Sequence, residues 1–210
     1  EASSGPVILS TANSGAEGVS GAIIISSGTA SLGTSGELAL TTGQALDGQG
    51  GSISLLVGDG TDGPGGSILL SAGYTADSAT GGNVNIQTGA SETTTSGQIT
   101  MKTPNSGADG TSGAILLTTG TASEGISGAI HVETGAATGG SGGSIVMQVG
   151  DATPSDDSES VSGGNVLLSA GDTSAKESRG GDVKIAAGSG INPSESDGGN
   201  GGAVNINGGA

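Results

Sequence analysis

The sequence contains no cysteine, no phenylalanine and no tryptophan, and Tyr74 is its one aromatic residue. The lack of cysteine excludes disulfide bonds and thiolate metal sites. The lack of aromatic side chains argues against a globular core of the ordinary kind, because these residues contribute most to core burial. Any core must therefore be built from small aliphatic residues.

Positive charge is also scarce, since four basic residues stand against 20 acidic ones and the formal net charge is −16. The basic residues are Lys102, Lys176, Arg179 and Lys184. Nucleic acids and anionic membranes are bound through cationic surfaces, so this balance predicts neither as a partner. Long hydrophobic runs are missing too, and the sequence therefore predicts no membrane insertion.

A short pattern recurs along the whole sequence, and residues 20–28 (SGAIIISSG) are a clear example of it. A doublet of small residues precedes two aliphatic positions spaced two apart, and the pattern occurs about thirteen times. Most steps between units are 15 or 16 residues, as from Gly5 to Gly21 and from Gly21 to Gly36. The second residue of each doublet, here named the anchor glycine, is Gly5, Gly21, Gly36, Gly51, Gly66, Gly82, Gly97, Gly113, Gly128, Gly143, Gly164, Gly181 or Gly202.

The aliphatic positions alternate with a period of two, which is typical of a strand. The first row is Val7, Ile23, Leu38, Ile53, Ile68, Val84, Ile99, Ile115, Ile130, Ile145, Val166, Val183 and Val204. The second row is Leu9, Ile25, Leu40, Leu55, Leu70, Ile86, Met101, Leu117, Val132, Met147, Leu168, Ile185 and Ile206. Both rows should face inward, and the residue two further on, such as Thr11, Thr42 or Thr88, should share that side near a corner.

These patterns predict an all-β fold in which residues 1–210 form one β-solenoid of about thirteen coils with a thin, flattened cross-section. Two buried aliphatic residues stabilise a coil by roughly 3 to 6 kcal/mol. Ordering about fifteen residues costs on the order of 20 kcal/mol, so stacking must supply the difference. Neither end of the sequence carries a cap, and this predicts end-to-end association of copies.

A longer repeat of six coils, about 92 residues, is superimposed on the unit, and residues 5–96 resemble residues 97–201 as two blocks of six coils. Residues 13–23 (NSGAEGVSGAI), for example, match residues 105–115 (NSGADGTSGAI). Duplication alone explains the match. Lateral packing against another chain is the second interpretation, and its candidate contacts are Ile24, Leu69, Leu116, Val146 and Leu167, which lie at outward positions between the two rows.

Catalytic chemistry finds little support in the sequence, so we expect a protein that is not an enzyme. His131 is the one histidine, and no nucleophile, base and orienting group can be assembled around it. Calcium is the one cofactor candidate, because carboxylates in flexible loops suit a hard cation. Its candidate ligands are Asp59, Asp62, Asp156, Asp157 and Glu159, and solvated acidic loops are the plainer interpretation of the same residues.

The units SGAIIISSG, SGAILLTTG, GGNVNIQTG and GGDVKIAAG resemble the Gly/Ser/Thr-rich repeats of surface proteins of diatoms and other algae. They are also similar to repeat arrays of some phage tail fibres. The resemblance covers nearly the whole chain, implies an extracellular or cell-surface structural or adhesive role, and carries over no catalytic residue.

The function predicted from these observations is an extracellular structural protein that assembles with copies of itself into a filament or surface appendage. An adhesin or tail-fibre shaft is one alternative. An ice-binding solenoid is another, although the outward positions lack the regular threonine rows that an ice lattice would match. A polysaccharide-active enzyme is a weaker reading, since the sequence lacks aromatic sugar platforms and clustered catalytic carboxylates.

Overall fold

The computed structural model describes residues 3–76, 78–155, 160–191 and 199–209. Within these ranges the backbone contains turns and bends but no helix and no strand. The prediction of an all-β fold, and of a β-solenoid with stacked parallel strands, is therefore wrong. The thin cross-section and the internal ladders were predicted from stacked strands, so these predictions are wrong for the same reason.

The repeat nevertheless has a regular structural counterpart, because the chain changes direction once in nearly every described unit. The turns and bends lie at 16–17, 31–33, 46–48, 61–63, 76, 78–79, 92–94, 108–109, 123–125, 138–140, 155 and 175–177. Successive ones are mostly 15 or 16 residues apart, as in the sequence repeat. Gly33 adopts a φ of 107° in one of these bends, a conformation that suits glycine.

Each turn closes a loop, because the anchor glycine that follows it returns to the residue two positions beyond the second row. A Cβ atom placed on Gly21 would lie 3.3 Å from Thr11 Cγ2, and one on Gly51 would lie 3.2 Å from Thr42 Cβ. The same approach joins Gly36 to Ser27, Gly82 to Ala72, Gly97 to Thr88, Gly113 to Thr103, Gly128 to Thr119, Gly143 to Thr134 and Gly181 to Ala170. These residues lie two positions after the second row and meet the anchor glycine at the other end of the loop. We call them the closure residues.

Glycine is required where the closure is tightest. A Cβ atom on Gly66 would lie 2.7 Å from Val57 Cγ1, and one on Gly164 would lie 2.7 Å from Val149 Cγ1. These distances are well inside the van der Waals contact of two carbon atoms. The repeated glycine thus allows the two ends of a loop to meet, which is a local requirement within each unit.

Hydrogen bonds hold the closures in two ways. In some units the closure threonine donates its hydroxyl to the anchor carbonyl, as from Thr42 Oγ1 to Gly51 O at 3.3 Å. The others of this kind are Thr11 Oγ1 to Gly21 O at 3.1 Å and Thr134 Oγ1 to Gly143 O at 3.4 Å. In other units the anchor N–H donates to the glycine carbonyl after the closure residue: Gly82 to Gly73 at 3.0 Å, Gly97 to Gly89 at 2.9 Å, Gly181 to Gly171 at 3.0 Å and Gly202 to Gly188 at 2.9 Å.

The physical reason for the failed strand prediction lies in these bonds. A β-ladder needs the backbone N–H and C=O groups of one unit to pair with those of the next along most of their length. Here the backbone bonds of the described residues join positions 3 to 14 residues apart at turns and closures. With 46 glycines the chain also loses more conformational entropy on ordering than an average sequence, so only the loop ends are fixed.

The chain divides into two compact units, Glu1–Met101 and Lys102–Ala210. Equivalent positions of residues 5–96 and 97–201 make equivalent hydrogen bonds, each within its own compact unit. The pairs are Gly18 N to Gly15 O at 3.1 Å with Gly110 N to Gly107 O at 3.2 Å, and Ser71 Oγ to Ala72 O at 3.4 Å with Ser169 Oγ to Ala170 O at 3.3 Å. Equivalent sequences therefore adopt equivalent local geometry.

The two kinds of closure predict different amide exchange rates. The anchor amides of Gly82, Gly97, Gly181 and Gly202 donate backbone bonds, whereas Gly21, Gly51 and Gly143 are held through threonine hydroxyls. A net bond strength of 0.5–1.5 kcal/mol corresponds to exchange slower by about 2- to 10-fold in the first group. Hydrogen exchange followed by NMR, corrected for intrinsic rates, measures this difference. Equal rates in the two groups would contradict the closures.

Candidate interaction surface

The aliphatic rows remain at the surface of the described chain. First-row side chains from Ile23 to Val204 are 48–58% exposed, and second-row side chains from Leu9 to Ile185 are 59–73% exposed. The aliphatic residues at outward positions are 79–87% exposed. The alternation with a period of two therefore appears as alternating exposure of the side chains. The prediction that both rows are buried is wrong for the described residues.

The rows are partly shielded in a way that depends on neighbouring units. Val7, in the first unit, is 99% exposed, whereas the other members of its row are about half exposed. Ile206, in the last unit, is 85% exposed and lies outside the range of its own row. These two exceptions indicate that the preceding unit shields a first-row side chain and the following unit shields a second-row side chain.

Three closure residues are better covered than most of the described chain. Thr75, Thr88, Thr103 and Ala170 are half-buried, and every other described residue is exposed. Three of these four are closure residues, and Thr88 was predicted to share the inward side near a corner. The sequence reasoning missed the anchor glycine as their partner. The available signal was the distance from each closure residue to the next anchor, which is most often 9 or 10 residues and ranges from 9 to 15.

The carboxylates occupy a different part of the unit from the aliphatic rows. Acidic residues lie in most of the described turns and bends, at Glu17, Asp47, Asp62, Glu92, Asp109, Glu124 and Glu177. All are exposed. Negative charge is therefore concentrated at the loop tips, where solvent and salt screen it.

Three of the four basic residues lie close together, at 176–184. Lys184 Nζ is 3.4 Å from Asp182 Oδ2, Arg179 pairs with Asp182 Oδ1, and Lys176 Nζ is 4.0 Å from Glu177 Oε1. The basic side chains are 82–93% exposed, and such exposed pairs contribute little to stability. Nearby acidic residues neutralise this segment, so it is not a cationic docking site.

The calcium candidates fall into two groups. Asp59 and Asp62 are exposed, and no group of three or more acidic, histidine or cysteine side chains that could hold a metal ion occurs among the described residues. Asp156, Asp157 and Glu159 lie outside the described residues. Among the described residues, Asp59 and Asp62 are therefore not part of a calcium ligand set.

His131 is exposed, two residues before the exposed Glu133. No cavity is present in the part of the chain that the structure describes. The described residues thus offer repeated surface rather than a concave site for a small molecule. The prediction that the protein is not an enzyme stays a prediction.

Comparison with known proteins gives no relative: no family model, no curated protein and no solved structure matches this chain. Across the described ranges, no helix is long and apolar enough to cross a membrane. The exposed aliphatic rows are therefore the feature that bears on function.

Proposed function

We propose that this protein is an extracellular structural protein whose copies associate through their aliphatic rows into an open-ended assembly. The observation that carries the proposal is the exposure of both rows along the described chain. Each unit presents two large aliphatic side chains, and each remains about half or more exposed. Large exposed apolar patches mark interaction sites, and the recurrence of exposed aliphatic side chains in successive units supports such a role here.

The amount of exposed surface favours a polymer over a single partner. The accessible surface is 20,728 Å², whereas a folded monomer of 19.3 kDa exposes about 8,500 Å². The excess is about 12,000 Å², and one partner in a standard interface covers about 800 Å². This surface has room for many contacts of ordinary size, and repeated contacts between copies are one way to use it.

The repeat also favours a copy of the same chain as the partner. A surface that recurs every 15 or 16 residues is matched along its length by another surface with the same spacing. Two copies paired in full register close on each other, whereas a pairing offset by one or more units leaves rows uncovered at the ends and lets association continue. The resemblance to algal surface repeats and phage fibre arrays supports an extracellular location.

Self-association predicts a strong dependence on concentration and on the first row. Ile53→Ser, Val84→Ser and Ile99→Ser together remove three half-exposed aliphatic side chains. If each contributes about 1 kcal/mol on covering, the concentration of half-association rises about 100-fold. Sedimentation velocity between about 1 μM and 1 mM measures the shift, and electron microscopy of the wild type should show filaments.

The control for this variant changes polar outward residues in the same three units: Ser54→Ala, Asn85→Ala and Thr100→Ala. The control should associate within about 2-fold of the wild type, because no aliphatic contact is removed. A wild type that stays monomeric over the whole range contradicts the proposal. So does a row variant that associates as readily as the control.

The charge of the chain predicts that association depends on pH. At pH 7 the net charge of −16 makes copies repel, and the sequence pI is about 4.1. Lowering the pH toward 4 protonates carboxylates and removes the repulsion, so half-association should occur at lower concentration. Raising the salt concentration at pH 7 should act in the same direction. Light scattering during a pH titration measures the effect, and association that weakens between pH 7 and pH 4 would contradict it.

A further inference from the structure

Four aspartates of the described chain are followed directly by a glycine. The pairs are Asp47-Gly48, Asp59-Gly60, Asp62-Gly63 and Asp109-Gly110, and all of their residues are exposed. Glycine has no side chain to shield its backbone nitrogen and allows the chain to rotate freely. An aspartate in this position is therefore open to attack on its side-chain carboxyl group by the backbone nitrogen that follows it.

The attack produces a succinimide and then isoaspartate. A bond forms between the glycine nitrogen and the aspartate Cγ, the Cγ–OH bond breaks, and the amide hydrogen and the hydroxyl leave as water. Water then adds to a carbonyl of the succinimide ring. When the ring opens at the backbone carbonyl, the chain continues through Cγ, and its backbone contains an additional methylene group. The reaction needs neither an enzyme nor a redox partner.

The Asp47-Gly48 pair is free to react in this way. It lies in the bend at 46–48. The Gly48 N–H donates no backbone hydrogen bond within the described part of the chain, and a Cβ atom built on Gly48 would meet nothing within 4 Å. The Gly48 nitrogen can therefore approach the Asp47 carboxyl group without first losing a hydrogen bond.

The Asp109-Gly110 pair is held by its turn. The Gly110 N–H donates to Gly107 O at 3.2 Å, and a Cβ atom built on Gly110 would lie 3.5 Å from Ser106 Cβ. This hydrogen bond must break before the nitrogen turns toward the Asp109 carboxyl group. The net strength of one such bond corresponds to a reaction about 2- to 10-fold slower than at Asp47.

The other two pairs lie in a crowded segment. A Cβ atom built on Gly60 would lie 2.6 Å from Gly63 O and 3.2 Å from Pro64 O. The ring of Pro64 also fixes the backbone that follows Gly63. Rotation is therefore more restricted at Asp59 and Asp62 than at Asp47.

We propose that Asp47 is a site of spontaneous covalent modification, where the Asp47-Gly48 bond converts to isoaspartate faster than the other Asp-Gly bonds of the described chain. The inference is independent of the proposed function, because the reaction takes place within one chain. Its only co-reactant is water.

The modification changes the loop in which it occurs. Asp47 lies between Thr42 and Gly51, whose closure is held by a bond from Thr42 Oγ1 to Gly51 O at 3.3 Å. A Cβ atom built on Gly51 would lie only 3.2 Å from Thr42 Cβ. An additional methylene group in the backbone between these residues shifts the two ends of the loop relative to each other.

The first test follows the dilute full chain in warm, mildly acidic buffer, with and without concentrated urea. Mild acid protonates part of the carboxyl groups, so that the hydroxyl can leave. An endoproteinase that cleaves before aspartate but not before isoaspartate, with mass spectrometry of the products, measures the conversion at each site. In the folded chain, cleavage before Asp47 should be lost about 2- to 10-fold faster than cleavage before Asp109. In urea the two rates should approach each other, because the Gly110 N–H loses its partner.

Two variants provide matched controls. Glu17 occupies the position of Asp109 in the first block, and the Gly18 N–H donates to Gly15 O at 3.1 Å. Glu17→Asp therefore creates an Asp-Gly pair in an equivalent turn, which should convert as slowly as Asp109. Gly48→Ala places a side chain beside the attacking nitrogen, where the structure has space for it. The rate at Asp47 in this variant should fall to or below the rate at Asp109.

The rates decide the proposal directly. If the ratio of the rates at Asp47 and Asp109 is the same in the folded chain and in urea, the proposal is overturned, because the turn then has no influence. Conversion in the Glu17→Asp variant as fast as at Asp47 also overturns it. Asn200-Gly201 and Asn207-Gly208 release ammonia rather than water, so their products differ in mass from the isoaspartate product.

NMR tests the consequence for the loop. As isoaspartate accumulates, a second set of signals should appear for Thr42 and Gly51, while Thr103 and Gly113 keep a single set. Signals of Thr42 and Gly51 that do not change in fully converted protein would overturn the link between the modification and the closure.

Discussion

The return of each anchor glycine to the closure residue of its loop is the constraint on which the described structure depends. It sets the size of the loop and fixes where the chain turns. At Gly66 and Gly164 no side chain fits between the loop ends, since a Cβ would lie 2.7 Å from a valine methyl group. The closure is local in sequence, because it joins each anchor glycine to a residue of the preceding unit.

A local constraint leaves the aliphatic rows without a core. The closure brings the ends of the loop together, but the described rows stay about half or more exposed. Two aliphatic residues per unit cannot offset the entropy of ordering the unit. The same arrangement places carboxylates at the loop tips and apolar residues along the segments between them. The proposed function rests on this separation, since it has the apolar segments of different copies meet while the carboxylates in the turns stay in water.

The sequence predicted some of this arrangement correctly and some of it wrongly. The spacing of units appears in the structure as the spacing of turns, and the alternation at Ile23, Ile24 and Ile25 appears as alternating exposure. The error was to infer stacked strands from that alternation. A period of two specifies which side a residue faces and does not specify that the backbone pairs with another unit.

The candidate site could be predicted only in part for the same reason. Leu69 and Leu116 were identified as outward contacts from the longer repeat, because chain position alone shows that they lie between the rows. The partnership of Gly97 with Thr88 could not be read from composition, since it depends on how the loop between them closes. Asp59 and Asp62 are near in sequence, but the described residues form no group of three or more ligands around them, and calcium binding stays a prediction.

The aliphatic rows are open to solvent in the separate chain. In the proposed assembly, other copies cover them. Methyl NMR with a neutral, soluble paramagnetic agent measures this directly, and adjacent Ile23 and Ile24 provide an internal comparison. In dilute protein the relaxation enhancement at Ile23 should be about half that at Ile24, following their exposures of 49% and 85%. In concentrated protein the enhancement at Ile23 should fall sharply. Near-complete protection of Ile23 and Ile115 in the dilute monomer would contradict the account, because it would show that the chain buries its rows by itself.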